Sequence, residues 1–282
     1  MKKYKLLSIA CALTMCLNIT GCSTTQDNTG SQSSGEKEKT TLTVFAAASM
    51  TETLQKIADN YKENNKNVDI VFNFDSSGTL KTQIEQGADC DIFISAAEKQ
   101  MNQLDIKAGD EKNPDKLDFI DSDSRVDLLE NKVVLIVPEN SNKNMKLNIA
   151  SFEDVKNASL VALGNSDVPV GQYSQQIFEN LGLWDELNNS KKISFASNVK
   201  EVVSQVATGA VDCGVVYQTD VTKDSNVNIV DYAPEGSCDP AIYPAAVTKN
   251  SKNASEAQKF LDFLSDDTSK KIFSDAGFTP LT

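Results

Sequence analysis

The chain has 282 residues, of which 27 are Lys or Arg, 40 are Asp or Glu and none is His, so its formal net charge is −13. This acidity disfavours binding to the phosphate backbone of nucleic acids. The absence of histidine excludes Ser-His-Asp and Cys-His catalysis and also His-ligated zinc. Arg125 is the single arginine, which disfavours anion recognition through several bidentate guanidinium groups.

The N-terminus has the pattern of a bacterial secretion signal. Three lysines within the first five residues precede the mostly apolar stretch 6–17, which is too short to span a bilayer comfortably. Residues 19–22 then read ITGC, which resembles the lipobox of bacterial lipoproteins. We therefore predict a lipoprotein signal peptide at residues 1–21 and a diacylated Cys22, since two acyl chains give a stable anchor. The alternative is an ordinary secretory signal with an incidental cysteine.

The next segment favours a tether between the anchor and a folded domain. Residues 23–40 contain no apolar side chain, so they cannot contribute to a core, and residues 22–40 are predicted to be a flexible linker. Together with the lipidation motif, this linker predicts an extracytoplasmic protein anchored to the outer face of the cell membrane.

Three cysteines remain beyond the linker, and they do not have the spacing of a metal site. Cys90, Cys213 and Cys238 are far apart and odd in number, so we interpret them as small buried apolar residues. A disulfide bond between Cys213 and Cys238 stays open as an alternative.

From residue 41 the pattern alternates between strands and helices. Short runs rich in Val, Ile and Phe predict strands at residues 41–47, 68–74, 91–95, 133–137, 160–163, 193–196, 214–217 and 245–247. Apolar stripes with helical spacing lie between several of them. This alternation predicts an α/β protein with mostly parallel sheets flanked by helices, and the length favours two lobes of about 120 residues each.

Four predicted helices begin with small or hydroxyl-bearing residues directly after a strand. These helix starts are Ser49 with Glu52 three residues later, the run at residues 76–79, Pro169, and Asn198 with Glu201. The first and last have the spacing of capping boxes. Because helix N-termini offer unpaired N–H groups at the carboxyl edge of a parallel sheet, they can form an anion site without cationic side chains. Ordinary helix capping is the alternative explanation for the same residues.

At this point the sequence resembles a known family. The resemblance rests on VFAAAS at 44–49, FDSSGTL at 74–80, IEQGADCDIFISA at 84–96, VPVGQY at 168–173, LGLW at 181–184, NVK at 198–200, GVVY at 214–217 and AGF at 276–278. In this order they are similar to the molybdate-binding proteins of bacterial ABC importers, the periplasmic or lipoprotein component that captures the ion. The resemblance extends over residues 41–282.

The resemblance implies five contacts to the oxygen atoms of molybdate and no direct metal ligand. Ser49 and Ser77 would contribute hydroxyl and backbone N–H groups, Val170 and Val199 backbone N–H groups, and Tyr217 its phenol. Without the resemblance, the serines could be caps only, the valines core residues, and the tyrosine a core aromatic whose hydroxyl is satisfied internally.

The fold implied by the resemblance is the two-lobed periplasmic-binding-protein fold of type II, with the ligand in the cleft between the lobes. Residues 41–130 with 240–282 are predicted to form lobe 1, and residues 131–239 lobe 2. The resemblance also implies that the protein has no catalytic activity and needs no cofactor. We expect a monomeric receptor that delivers molybdate, and also tungstate, to the permease subunits of an ABC importer.

Other functions remain open from the sequence. A receptor for sulfate or phosphate would share the fold, and Asp75 would favour phosphate if its carboxylate faced the cleft, although we expect it to point away. An extracytoplasmic enzyme is a weak alternative, because no nucleophile elbow or metal cluster is present. An adhesin that binds no small ligand is the remaining alternative.

Overall fold

The computed structural model describes residues 39–139 and 148–282. The predicted signal peptide, Cys22 and almost all of the predicted linker lie outside the described residues. Within the described ranges, no helix has the length and apolar character needed to cross a membrane.

Strands account for the two sheets of the described chain. In chain order they are β1 (Thr40–Ala47), β2 (Val68–Asp75), β3 (Ile92–Ile94), β4 (Val126–Asn131), β5 (Val133–Pro138), β6 (Val161–Gly164), β7 (Ile193–Ala196), β8 (Cys213–Tyr217), β9 (Val227–Tyr232), β10 (Ala241–Val247) and β11 (Thr279–Pro280). All eight predicted strands are present. The three that the sequence patterns missed are β4 and β9, whose apolar runs are interrupted by polar residues, and the two-residue β11.

Helices lie between these strands. They are α1 (Thr51–Asn64), α2 (Ser77–Glu85), α3 (Glu98–Asn102), α4 (Pro169–Asn180), α5 (Trp184–Asn189), α6 (Val199–Ala207), α7 (Ala254–Leu264) and α8 (Asp267–Asp275). Short 3₁₀ turns at Ala48–Met50 and Gln218–Asp220 directly follow β1 and β8.

The strands form two mixed sheets. The first has the order β11-β4-β10-β3-β1-β2 and the second the order β7-β6-β8-β5-β9. The prediction of mostly parallel sheets is corrected here: β10 and β11 pair antiparallel in the first sheet, and β5 pairs antiparallel with both its neighbours in the second. The antiparallel strands include β4, β5, β9 and β10, the strands on either side of the two connections between the sheets.

The chain passes between the sheets twice. Lys132 alone separates β4 in the first sheet from β5 in the second, and residues 233–240 lead back from β9 to β10. The first sheet is therefore built from both ends of the described chain and the second from its middle. This division supports the predicted lobe boundaries, which remain a proposal.

The apolar faces of helices pack against each sheet. Val202 and Val206 of α6 are fully buried on the second sheet, where a Cβ on Gly214 would collide with both side chains. Leu54 and Ile57 of α1, which packs on the first sheet, are likewise fully buried. Burial of each such side chain contributes about 1.5–3 kcal/mol, which fixes the helix axes and hence the position of their N-termini.

Candidate functional site

One small cavity lies where the carboxyl ends of strands from both sheets meet. Its volume is about 10 Å³, and its wall consists of Ala47, Ala48, Ser49, Asp75, Ser76, Ser77, Ala96, Val168, Pro169, Val199 and Tyr217. A space of this size is at the lower limit for one water molecule. Four of the five predicted contact residues are in this wall; Val170 is not, although its neighbours Val168 and Pro169 are.

Ser49 is held by a partner that the sequence did not indicate. It lies in the 3₁₀ turn after β1, is buried, and its hydroxyl oxygen is 2.9 Å from the hydroxyl oxygen of Tyr243. The predicted capping box of Ser49 with Glu52 is wrong. Helix α1 begins at Thr51 after Met50, without a side-chain cap, because Ser49 is engaged by β10 and the Glu52 carboxylate faces Lys200.

Ser77 is the first residue of α2 and is fully buried. The preceding Ser76 caps the helix by accepting the N–H of Thr79 at 3.2 Å, so the hydroxyl of Ser77 is not needed for capping. Its oxygen instead accepts the backbone N–H of Ala96 at 2.9 Å. Because a backbone N–H can only donate, the O–H of Ser77 remains available on the side of the cavity.

The next residue along α2 brings the two sheets together. The N–H of Gly78 donates to the carbonyl oxygen of Asp167, in the loop between β6 and α4, at 3.0 Å. A Cβ on Gly78 would overlap that carbonyl group. The close approach of the two cavity walls therefore requires glycine at this position.

At Val170 and Val199 the group of interest is the backbone N–H and not the side chain. Helix α4 begins at Pro169, as predicted, with Val170 second, and α6 begins at Val199 after the cap Asn198. In the part of the chain that the structure describes, the N–H groups of Ser77, Val170 and Val199 have no hydrogen-bond acceptor. Three helix N-termini thus present unpaired donors and partial positive charge near one cavity.

The predicted second capping box differs in detail from the structure. Asn198 accepts the N–H of Glu201 at 3.1 Å, as expected. The Glu201 carboxylate, however, accepts from the N–H and the hydroxyl of Ser197 rather than from Asn198. Its pKa is lowered by these hydrogen bonds.

Tyr217 ends β8 and is buried against two other aromatic rings. Its hydroxyl is 3.3 Å from the carbonyl oxygen of Ala96, and its ring meets those of Tyr173 and Tyr243 edge-on, with centroids 6.4 and 5.6 Å away. Burial raises the pKa of Tyr217 well above its ordinary value. The phenol therefore stays protonated and can serve as a donor.

A buried carboxyl group contacts the backbone of Tyr217, a residue of the cavity wall. Asp220 is fully buried, which raises its pKa to about 7 against the opposing effect of Lys200, whose ammonium nitrogen is 4.0 Å away. One carboxylate oxygen accepts the N–H of Tyr217 at 3.1 Å. Lys200 also pairs with Glu52 of the first sheet's α1 at 2.9 Å, so this ion pair connects the two sides of the cavity.

Asp75, which we expected to point away from the cleft, contributes to the cavity wall, and one of its carboxylate oxygens accepts the N–H of Ser76 at 2.7 Å. Two further residues, Tyr243 and Asn131, contact the serine hydroxyl network and could not be found from the sequence. Tyr243 was visible only as an aromatic residue with a polar tip in an apolar run. Its contact with Ser49 joins positions 194 residues apart, which no local pattern indicates.

The remaining cysteines are free thiols. Cys90 and Cys213 are buried, as predicted, whereas Cys238 is partly exposed. Burial raises the pKa of the Cys90 and Cys213 thiols to about 12. The alternative of a Cys213–Cys238 disulfide is therefore not what the structure shows.

The chain is similar to several known proteins. The family model described as bacterial extracellular solute-binding protein matches residues 42–279. A Bacillus subtilis protein, provisionally named ABC transporter substrate-binding lipoprotein YvgL, is 37% identical over 279 residues, which cover 99% of this chain and 98% of the relative. The molybdate-binding protein ModA of Escherichia coli is 36% identical over 242 residues, covering 84% of this chain and 88% of the relative.

The fold has a solved counterpart. The periplasmic molybdate-binding protein of Azotobacter vinelandii superposes with a TM-score of 0.71 at 24% identity, covering 86% of this chain and all of that one. This likeness confirms the predicted α/β periplasmic-binding-protein fold. The family description and the relatives' names are those of solute-binding proteins, one of them an ABC transporter component, and not of enzymes. The chain therefore belongs to the family of bacterial extracellular solute-binding proteins.

Proposed function

We propose that this protein captures molybdate, and also tungstate, and delivers it to the permease of an ABC importer. The observation that carries the proposal is the convergence of Ser49, Ser77, Val199 and Tyr217 on one cavity between the two sheets. The name of the E. coli relative, a molybdate-binding protein, supports the same ligand. Val170, which follows Pro169 in α4, would donate its backbone N–H to the ion.

Neutral donors are sufficient for tight binding of such an ion. Each hydrogen bond to a charged group contributes about 1.5–3 kcal/mol, and the partial charges of the helix N-termini act in the same direction. Six or seven contacts, reduced by desolvation and by the free energy of closing the cleft, are compatible with a Kd in the range of about 1 nM to 1 μM.

Binding requires the two walls of the cavity to part. A volume of about 10 Å³ holds no tetrahedral oxyanion, so the ion would enter while the sheets are further apart. A ligand that contacts donors on both sides then favours the closed arrangement, because its differential affinity for that arrangement shifts the equilibrium.

The donor set favours fully ionised tetrahedral dianions. A proton on the ligand would face a donor and leave a buried group unpaired, at a cost of about 1–3 kcal/mol. Sulfate has the right charge but is smaller than molybdate, so fixed donors on both walls would not all reach it. Tungstate is nearly the same size as molybdate, which is why we include it.

A phosphate receptor is the second candidate function. Asp75 contributes to the cavity wall, and a carboxylate there could accept the proton of hydrogen phosphate. One of its oxygens is occupied by the N–H of Ser76, which leaves the other for such a contact.

We further propose that the mature protein is a monomer, anchored through Cys22 to the outer face of the membrane by the linker that follows. The pattern of residues 1–40 supports the anchor, as does the lipoprotein name of the B. subtilis relative. Radiolabelled palmitate should be incorporated by the wild-type chain in a bacterial host. A Cys22→Ala variant that is labelled equally would contradict the anchor.

Isothermal titration tests the ligand. A chain from Ser23 onward should bind molybdate one-to-one, and excess sulfate or phosphate should not displace it. Tungstate should bind with an affinity within about tenfold of that of molybdate. The two ions are nearly equal in size, so they make nearly the same contacts. Preference for phosphate, lost in an Asp75→Asn variant, would establish the second candidate instead.

A further inference from the structure

Behind Ser49, as seen from the cavity, the amide of Asn131 fixes which groups donate hydrogen bonds and which accept them. The amide of Asn131 is buried, and its oxygen accepts the backbone N–H of Lys132 at 2.8 Å. This contact fixes which way the amide is turned. Its nitrogen therefore points to the hydroxyls of Thr219 and Tyr243, at 2.9 and 3.2 Å.

An amide nitrogen can only donate, so the Tyr243 hydroxyl accepts a hydrogen bond from Asn131 and must donate its own proton to another group. The nearest hydroxyl oxygen is that of Ser49, at 2.9 Å. Tyr243 is fully buried, and burial raises its pKa well above the ordinary value, so the phenol keeps its proton. If Ser49 donated to Tyr243 instead, the Tyr243 proton would have to turn towards Tyr217, whose ring packs edge-on against that of Tyr243.

We propose that Asn131 and Tyr243 are positioning residues that turn the hydroxyl proton of Ser49 towards the cavity and so make this receptor reject anions that carry a proton. The proposal rests on the proposed function of the cavity. The proton of the Ser77 hydroxyl is also left free, for a separate reason, because the Ser77 oxygen accepts the N–H of Ala96. Both serines then have their protons free to donate to the ligand, since neither proton is used within the network.

The sharpest test reverses the direction without changing the shape. In an Asn131→Asp variant, the carboxylate can still accept the N–H of Lys132, and the hydroxyl of Thr219 can rotate to donate to it. Tyr243 would then donate to the carboxylate, and Ser49 would donate to Tyr243. The serine would present a lone pair to the cavity, which suits a ligand that carries a proton.

The measurement is the ratio of Kd values for hydrogen phosphate and molybdate, by titration at about pH 8 on the chain from Ser23 onward. The added charge repels both dianions, so it largely cancels in this ratio. We expect the ratio to fall by at least about tenfold in Asn131→Asp, a change equivalent to about 1.4 kcal/mol, and to fall less in Tyr243→Phe, where Ser49 is free to turn either way. Tyr61→Phe is the matched control, since Tyr61 is also buried and hydrogen-bonded, to Glu256.

The outcomes separate this inference from the proposed function. A wild-type protein that binds sulfate but not molybdate would contradict molybdate capture, and the phosphate-to-sulfate ratio would then report on the positioning residues. Ratios that are equal in the wild-type, Asn131→Asp and Tyr61→Phe proteins would overturn the inference, with the Tyr243 proton then directed to Tyr217. Failure to bind any of the three anions would overturn both.

Discussion

Asp220 is a buried carboxyl group whose ionisation affects the stability of the fold around the cavity. Its pKa of about 7 in the folded chain lies above the ordinary value of 3.8, so between these two pH values the folded state holds a proton that the unfolded state has lost. Stability contributed by this group is therefore present at low pH and decreases as pH rises from about 4 to 7.

An Asp220→Asn variant should remove this dependence. Its amide oxygen can still accept the N–H of Tyr217, and the free energy of unfolding at about pH 8 should rise by a few kcal/mol relative to the wild type, since each pKa unit corresponds to about 1.4 kcal/mol. Urea unfolding at about pH 5 and pH 8 measures the difference. The exposed Asp224→Asn serves as control, and an equal pH dependence in all three proteins would contradict the assignment.

At the scale of the elements, a backbone hydrogen bond joins α2 to the loop before α4. Because the N–H of Gly78 reaches the carbonyl of Asp167, a Gly78→Ala variant should keep the walls apart. Alanine in a helix is favourable by up to about 1 kcal/mol over glycine, so stability should be unchanged or higher while the molybdate Kd rises by about tenfold or more. Thermal unfolding together with titration measures both, and an unchanged Kd would show that closure does not need this contact.

The same elements show what sequence patterns can establish. Buried strands were visible because runs of Val, Ile and Phe mark them, and the starts of α2, α4 and α6 were visible because caps and proline are local signals. The Ser49–Glu52 pattern was misleading, since Tyr243 and Lys200 from distant parts of the chain take those two side chains. The hydroxyl network depends on contacts between remote residues and could be found only in the structure.

On the scale of the whole molecule, Glu52 and Lys200 connect the helices on opposite sides of the cavity. Both side chains are partly exposed, so the pair should contribute less than about 1 kcal/mol to holding the sides together. In a double-mutant cycle of Glu52→Gln and Lys200→Gln, the coupling in molybdate affinity should be a few-fold at low salt. It should vanish in about 1 M salt, where the Debye length is about 3 Å.

Pairing Glu52→Gln with Lys271→Gln controls for the change in net charge, because Lys271→Gln also removes one positive charge and the Lys271 ammonium pairs with Asp275 within its own helix. A coupling that persists undiminished at high salt would mean that the two side chains act through packing rather than charge.

Asn131 is the last residue of β4, and only Lys132 separates it from the second sheet. Its amide also bonds Thr219, in the turn after β8, so a rotation of the sheets about Lys132 would strain that bond, whereas Tyr243 and Ser49 belong to the first sheet with Asn131 and would move with it. The direction of the Ser49 proton would therefore persist when a permease pulls the two halves apart. The first sheet would keep its preference for unprotonated anions in the open cleft, so that an ion is selected before the two sheets close on it.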